Sequence, residues 1–401
     1  MKKTILKLTT GLLATTILAT SANAGYTMKK RVGDIDTKLT FFGFAQIDAI
    51  GGKGMQIKNS GSTAKAGTNF GFRAQRIRLG WKYQAEKIRG KVFIDFNQKH
   101  DDPSPTNGAS VPHTIKDAFI AYKFNNAFIP KFGAIKMPNG MGFTMPGWNL
   151  DIAERGFDKK LVFERNLGFM ISGRGIGYSG NKVNGFEMGH ERAWKGFGYD
   201  IMIANQASRS GAAKSSKMGG NAYALRGMYD YTEKLHLELS FAKSENADGK
   251  DALTSSKIDY KNINFGIDSN LGKLSLKGEY TSAKDILGVK NWDEKVYTAT
   301  IGYFVQPNLE LVTKHIQGTS QKGSSAVKTK IGNTYIGFNL FLSKPHSGYS
   351  RSAKRSANQH KIVFNYIKAS GSGATEDATK KWSGLGGYRS DAFILQYQFK
   401  F

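Results

Sequence analysis

Residues 72–97 read FRAQRIRLGWKYQAEKIRGKVFIDFN. Ile77, Leu79, Trp81 and Tyr83 fall on one face, and Arg76, Arg78, Gly80, Lys82 and Gln84 on the other. Glu86-Lys87 makes a tight connection. The alternation then resumes, with Val92, Ile94 and Phe96 set against Lys91, Phe93, Asp95 and Asn97. Successive side chains of a strand point to opposite sides, so this is a pair of antiparallel strands with one greasy and one charged face. In a water-soluble sheet the greasy face packs inward. In a membrane barrel it meets lipid, and the polar face lines a lumen. Alternation alone leaves both arrangements open.

The same period runs through most of the chain. NAYALRGMYDY (221–231) sets Tyr223, Leu225, Tyr229 and Tyr231 against Arg226 and Asp230, and KLHLELSFA (234–242) sets Leu235, Leu237, Leu239 and Phe241 against His236, Glu238 and Ser240. KVYTATIGYFV (295–305) alternates as well, while NTYIGFNLFL (333–342) and HKIVFNYIK (360–368) do so less cleanly. The reading places strands near 37–50, 71–85, 88–98, 115–124, 128–136, 167–178, 196–205, 221–231, 235–243, 257–268, 272–283, 295–305, 309–317, 331–342, 360–369 and 388–401. Short connections (Glu86-Lys87, NNA, TEK, SNLG, QPN) alternate with long ones, as in outer-membrane barrels with short turns at one end and long loops at the other. Two connections, 179–195 and 343–359, are long where short ones are expected.

Three features favour a barrel over a sandwich. Strands of about 10 residues match a tilted membrane span. Aromatics gather near strand ends, as in Trp81/Tyr83, Tyr229/Tyr231 and Phe399/Phe401, like an interfacial girdle. The last stretch, DAFILQYQFKF (391–401), carries Phe393, Leu395, Tyr397, Phe399 and Phe401 on one face and ends on an aromatic. At the other end, residues 1–24 have the layout of a secretory signal peptide: Lys2-Lys3, a short apolar run and Ala22-Asn23-Ala24, with cleavage expected after Ala24. The expectation is an all-β transmembrane antiparallel barrel of about sixteen strands over residues 25–401, with no helical span.

The 401 residues carry a formal charge of +27, 47 Gly against 8 Pro, and no Cys. Disulfides and thiolate metal sites are therefore excluded. Export argues against a nucleic-acid partner, which leaves anionic solutes or an anionic membrane surface to explain the basicity.

Within Phe72–Gly173 the sequence resembles the phosphate-selective porin O and P family, including its DcaP-like relatives. The resemblance rests on the Arg-rich strand leading to Asp95-Phe96, on IKDAFIAYKF (115–124), on Gly133, Lys136, Pro138 and Gly140 in KFGAIKMPNGMG, and on Glu154, Arg155, Arg165, Gly168 and Gly173. It implies a homotrimer of sixteen-stranded barrels in the outer membrane of a Gram-negative bacterium. It also implies a third long loop, 137–166, folded into the pore, and passage of small anions through a basic constriction. The Arg-rich entry ladder of the family's phosphate channels is not found here, so phosphate and organic anions both remain as solutes.

The resulting pore-lining candidates are Arg76, Arg78, Lys82, Lys131, Lys136, Glu154, Arg155, Arg165 and Arg174. Rings of charge set selectivity in water-filled pores. The competing reading pairs these cations with Asp95, Asp117, Glu154 and Asp158 and makes them wall stiffeners. Loop lysines such as Lys214, Lys217, Lys380 and Lys381 suit lipopolysaccharide phosphates. Gly175-x-Gly177-x-x-Gly180 fits a dinucleotide pattern, but no helical stripe follows it. Asn246, Asp248 and Asp251 fall short of a Ca²⁺ ligand ladder. The seven His residues show no metal-ligand spacing, and no cofactor is implied. The rival functions are an outer-membrane barrel enzyme of lipase or protease type, which needs a nucleophile–base pair near one rim, and a secreted β-protein that binds anionic glycans.

Overall fold

The computed structural model describes residues 25–53, 68–96, 115–177, 195–207, 220–231, 234–245, 258–321, 328–342, 359–371, 387–388 and 390–401. They form one antiparallel sheet of seventeen strands: β1 (Tyr26–Val32), β2 (Ile35–Lys53), β3 (Thr68–Ala85), β4 (Ile88–Asp95), β5 (Ile115–Tyr122), β6 (Ile129–Lys136), β7 (Arg165–Ile176), β8 (Gly196–Asn205), β9 (Asn221–Tyr231), β10 (Leu235–Ser244), β11 (Tyr260–Leu271), β12 (Leu274–Lys284), β13 (Asp293–Gln306), β14 (Leu309–Gln321), β15 (Thr329–Phe341), β16 (His360–Ser370) and β17 (Ala392–Lys400). From β2 to β17 each strand pairs with the next. The sheet then closes on itself through β17 and β2, from Ala392↔Gly52 to Lys400↔Phe44. Closure leaves no edge among these sixteen strands.

The greasy face points outward. On β9, Leu225 is 53 % and Tyr231 60 % exposed, while Arg226 between them is 0 % exposed. On β17, Phe393, Leu395, Tyr397 and Phe399 all face out, and Ala392, Ile394, Gln396 and Gln398 face in. Such a surface is stable only against lipid, since a water-soluble sheet would bury it.

The sixteen expected strands are all present, and one more precedes them. β1 folds back on the start of β2 through Gly33-Asp34, with Gly33 at φ 60, a left-handed turn conformation that glycine adopts without penalty. The Phe401 N–H and carbonyl pair with Gly43, and from Phe41 onward β1 takes over the same edge of β2 that β17 has just left. Elsewhere the boundaries shift slightly. SNLG is not a four-residue turn: Ser269, Asn270 and Leu271 belong to β11, and Gly272-Lys273 turns the chain. The over-long connections 179–195 and 343–359 fall almost wholly outside the described residues, as do Lys214, Lys217, Lys380, Lys381 and the Asn246–Asp251 segment. Gly175 lies in β7, whose partners are antiparallel, so the parallel sheet a dinucleotide turn needs is absent there.

Candidate pore constriction

Between β6 and β7 the chain enters the barrel. Pro138, Gly140, Gly142, Pro146 and Gly147 interrupt any long helix, leaving a single turn, α1 (Met141–Thr144), and 3₁₀ turns at Gly147–Asn149 and Phe157–Leu161. Gly140 sits at φ 83, and a Cβ there would lie 2.6 Å from Val162 Cγ1. The segment bonds to inner-wall side chains far away in sequence. Asn139 Nδ2 donates to Asn262 Oδ1 at 2.7 Å, and Glu279 accepts from the Gly142 N–H at 3.0 Å. Gln46 and Gln398 donate to the carbonyls of Gly147 and Trp148, Lys361 donates to that of Leu150 at 2.8 Å, and Gln396 donates to that of Ala153 at 2.8 Å. Three carboxylates of the loop meet three wall cations: Asp151 with Lys277 at 2.5 Å, Glu154 with Arg73 at 3.0 Å, and Asp158 with Lys314 at 3.2 Å. Loop 3 therefore crosses from its root to the wall formed by β10 through β17, β2 and β3.

An apolar seam completes the docking. Ile152, Phe157, Leu161 and Phe163 of the loop share one buried cluster with Val296, Ile316, Ile331, Val363, Ile367 and Ile394 of the wall. Phe163 packs edge-on to Tyr260 at 4.9 Å. This explains why β15 and β16 alternate less cleanly in sequence and why β17 carries Ile394 on its inner face. Their inner faces meet a loop rather than water, so apolar residues appear on both sides.

The structure sorts the nine candidates into distinct surroundings. Arg76, on β3, is buried and donates to Gln46 Oε1 at 2.5 Å. Arg155, in loop 3, donates to the carbonyls of Gly142 at 3.1 Å, Phe143 at 3.3 Å and Met145, closing the C-terminus of α1. Neither makes an ion pair with a described residue. Arg78 and Arg165 stand near Arg155, and burial together with these two cations pulls its guanidinium down to about 10, so it stays charged at neutral pH. Arg76 also lies within electrostatic reach of Arg78 and Arg155. Arg78 pairs with Asp95 at 2.8 Å and Arg165 with Asp117 at 2.7 Å, as the stiffening reading anticipates. Lys136 donates to the carbonyls of Thr144 and Met145, holding the same end of α1 that Arg155 holds. Glu154 accepts from Arg73 and from Tyr388 Oη at 2.8 Å.

The other three lie apart from this group. Lys82 rests over the Phe42 ring at 4.8 Å. Lys131 is near Asp200, Arg174 and Arg226. Arg174 is locked to Asp200 by two bonds of 2.9 and 3.0 Å and to the carbonyls of Gly173 and Tyr199. Asp200 also binds Arg226, which reaches Glu238, and His236 lies between Asp230 and Glu238. This network spans β7 to β10 and is fully buried.

Strict alternation hid one member. Arg73 is odd-numbered and Arg76 even-numbered, yet both face inward, because a bulge between them shifts the pairing from Gln46↔Arg76 to Ile47↔Ala74. A bulge inserts one residue and reverses the phase of the strand. Nothing in the local pattern marks it.

Solved structures share this architecture. The outer-membrane channel DcaP of Acinetobacter baumannii superposes with a TM-score of 0.58 at 14 % identity, covering 94 % of this chain and 100 % of its own. The fold is that of the outer-membrane porins. An anion-selective porin from Comamonas acidovorans matches at TM-score 0.58 and 15 % identity, covering 91 % of this chain and 100 % of that one. OmpT of Vibrio cholerae in its trimer form matches at 0.55 and 10 % identity, with 91 % and 99 % covered. No family model matches the chain, nor does any curated sequence. DcaP thus stands among porins of comparable distance, and the likeness shown is that of the porin fold.

Proposed function

We propose that this chain is a passive diffusion porin of a Gram-negative outer membrane that prefers small anions, phosphate or organic anions among them. Residues 1–24 direct export and are removed after Ala24, and residues 25–401 form the channel. Loop 3 sets the width of the path, and the basic inner surface sets its charge preference. The observation that carries this reading is the pair Arg76 and Arg155. Both are hydrogen-bonded to neutral oxygens rather than paired to a carboxylate. Glu154 and Asp48 act on Arg76, and Glu164 and Asp158 on Arg155, only from beyond ion-pair distance. Less of their charge is therefore cancelled than at Arg78 or Arg165. One cation about 4 Å from an anion contributes about 1 kcal/mol at bulk dielectric, and more in a narrow, poorly hydrated passage.

The outward aromatic and aliphatic rows support a lipid surround, and on this reading the loop lysines meet lipopolysaccharide phosphates. Assembly as a homotrimer follows the trimer named for V. cholerae OmpT. The neighbours named as channels and porins support transport rather than an enzyme of lipase or protease type. The test is the reversal potential of single channels in a KCl gradient. Anion preference is expected, and cation preference would refute the proposal. Competing phosphate, sulfate and organic acids in the same recording then rank the solutes.

A further inference from the structure

The extra strand, β1, has a charge pattern that closing the barrel does not require. Residues opposite each other in an antiparallel pair share a face. On β2 the lumen face carries Phe42, Phe44, Gln46 and Asp48, all buried within the barrel. Continuing downward by twos, the same face carries Thr40, Lys38 and Asp36. Their partners on β1 are Thr27, Lys29 and Arg31. On the other side of β2, Thr40 pairs with Lys82 and Lys38 with Gln84, and Lys82 in turn pairs with Lys91. Lys29, Arg31 and Lys38 therefore stand on the inner face, in line below Arg78, Lys82 and Lys91. The outer face of the same hairpin is different. It carries Tyr26, Met28, Val32, Ile35, Leu39 and Phe41, level with the outward Trp81 and Tyr83, and a single cation, Lys30.

Two of these cross-strand pairs are lysine against lysine: Lys29↔Lys38 and Lys82↔Lys91. Like charges placed directly opposite destabilise a sheet. The upper pair is partly relieved, because Lys91 binds Asp117 at 2.5 Å and Lys82 lies over Phe42. In the lower pair Lys29 is exposed and makes no ion pair with a described residue. Among the described residues Arg31 lies 3.5 Å from the solvent-exposed Asp34, an exposed pair that contributes little. It also stands opposite Asp36 on the inner face, which leaves three cations against one carboxylate on that face of the hairpin. Each step of two residues descends about 7 Å, so Lys38 and Arg31 lie about 7 and 14 Å beyond the level of Lys82.

We propose that the β1–β2 hairpin is an electrostatic lip, whose inner-face cations Lys29, Arg31 and Lys38 carry the basic track of β3 and β4 past the end of the barrel and concentrate small anions at that mouth. The proposal rests on the anion-porin reading above and adds a side to it. The constriction selects, and the lip makes the two mouths unequal. Charges at a mouth act through solution, so their effect depends on a Debye length of about 10 Å at 0.1 M salt and about 3 Å at 1 M.

The test is single-channel current at equal and opposite voltages in symmetric KCl, using the full-length protein. In 0.1 M KCl the wild type is expected to pass about twofold more current in the direction that draws anions in from the hairpin side. Replacing Lys29, Arg31 and Lys38 together by Gln should bring the ratio close to one, and 1 M KCl should do the same for the wild type. Lys30→Gln, on the outer face of the same strand, should leave the ratio unchanged. A ratio indifferent to the triple replacement, or equally sensitive to Lys30→Gln, overturns the lip. The reversal potential of the same channels reports separately on the constriction. A cation-selective wild type would refute the anion-porin reading, while the current ratio still decides the lip.

Discussion

Two groups of arginines, buried except for the half-buried Arg155, face the interior of this barrel, and they differ in what they touch. On β7 to β10, Arg174 and Arg226 converge on Asp200, and Arg226 adds Glu238. Where loop 3 meets β3, Arg76 and Arg155 are held by an amide oxygen and by backbone carbonyls. The first group is matched cation for carboxylate, and its field outside the cluster is small. The second is fixed in place by neutral oxygens and makes no ion pair with a described residue. On the proposed reading, an arginine serves as wall or as selectivity element according to its acceptor: a carboxylate cancels the charge, and a carbonyl only orients it.

The comparison can be broken most forcefully at Asp200. Asp200→Asn should leave Arg174 and Arg226 without their shared carboxylate. Removing one partner of a buried pair costs about 3–5 kcal/mol, so refolding yield and thermal stability in detergent should fall sharply. The channels that do form should keep their anion preference, and a change in selectivity instead would dissolve the distinction. Arg76→Gln and Arg155→Gln should do the opposite. Each is expected to lower the anion-to-cation permeability ratio about fivefold, corresponding to about 1 kcal/mol, with much less effect on stability than Asp200→Asn. Arg165→Glu would join the Asp200 class, because Arg165 is already committed to Asp117.

The smallest effect belongs to an exposed pair. Asp391 lies below its usual carboxylate range, held there chiefly by the hydrogen bond from Lys368 and then by those from Tyr366 and the Ala369 N–H. A depressed folded-state value means that its contribution is present above the unfolded value of 3.8 and is lost as pH falls through the folded one. Asp391→Asn should therefore lower the thermal midpoint slightly at pH 7, and the difference should close when unfolding is followed below pH 3.8. A fall as large as that of Asp200→Asn would mean that burial does not set the value of these pairs.

Much of the architecture was legible because lipid and water impose opposite demands on neighbouring residues. The run from Ile77 to Tyr83 and the aromatic row ending in Phe401 both point outward as their alternation requires. Legibility declined wherever the inner face met protein. Ile394 and Gln396 look inconsistent on one strand until loop 3 is present, since Ile394 joins its apolar seam and Gln396 bonds its Ala153 carbonyl. Arg73 was hidden by a bulge. Asp200 and Arg226 were hidden because they answer to Arg174 across strands, not to neighbours in sequence. The hairpin strand β1 went unread because its Lys29-Lys30-Arg31 run masks the alternation, and Gly33-Asp34 was the only sign of a turn.

The sequence by itself determined a series of antiparallel strands with one greasy and one polar face, because a two-residue period records which side each residue takes. Strand length and aromatics at strand ends favoured a barrel, and the closure of β17 on β2 with the greasy face outward decided it. Only the tertiary structure decided which inner cations meet a carboxylate and which a neutral oxygen. That depends on which acceptor lies within about 3 Å of each guanidinium, and loop 3, a bulge and strand pairing bring those acceptors from distant parts of the chain.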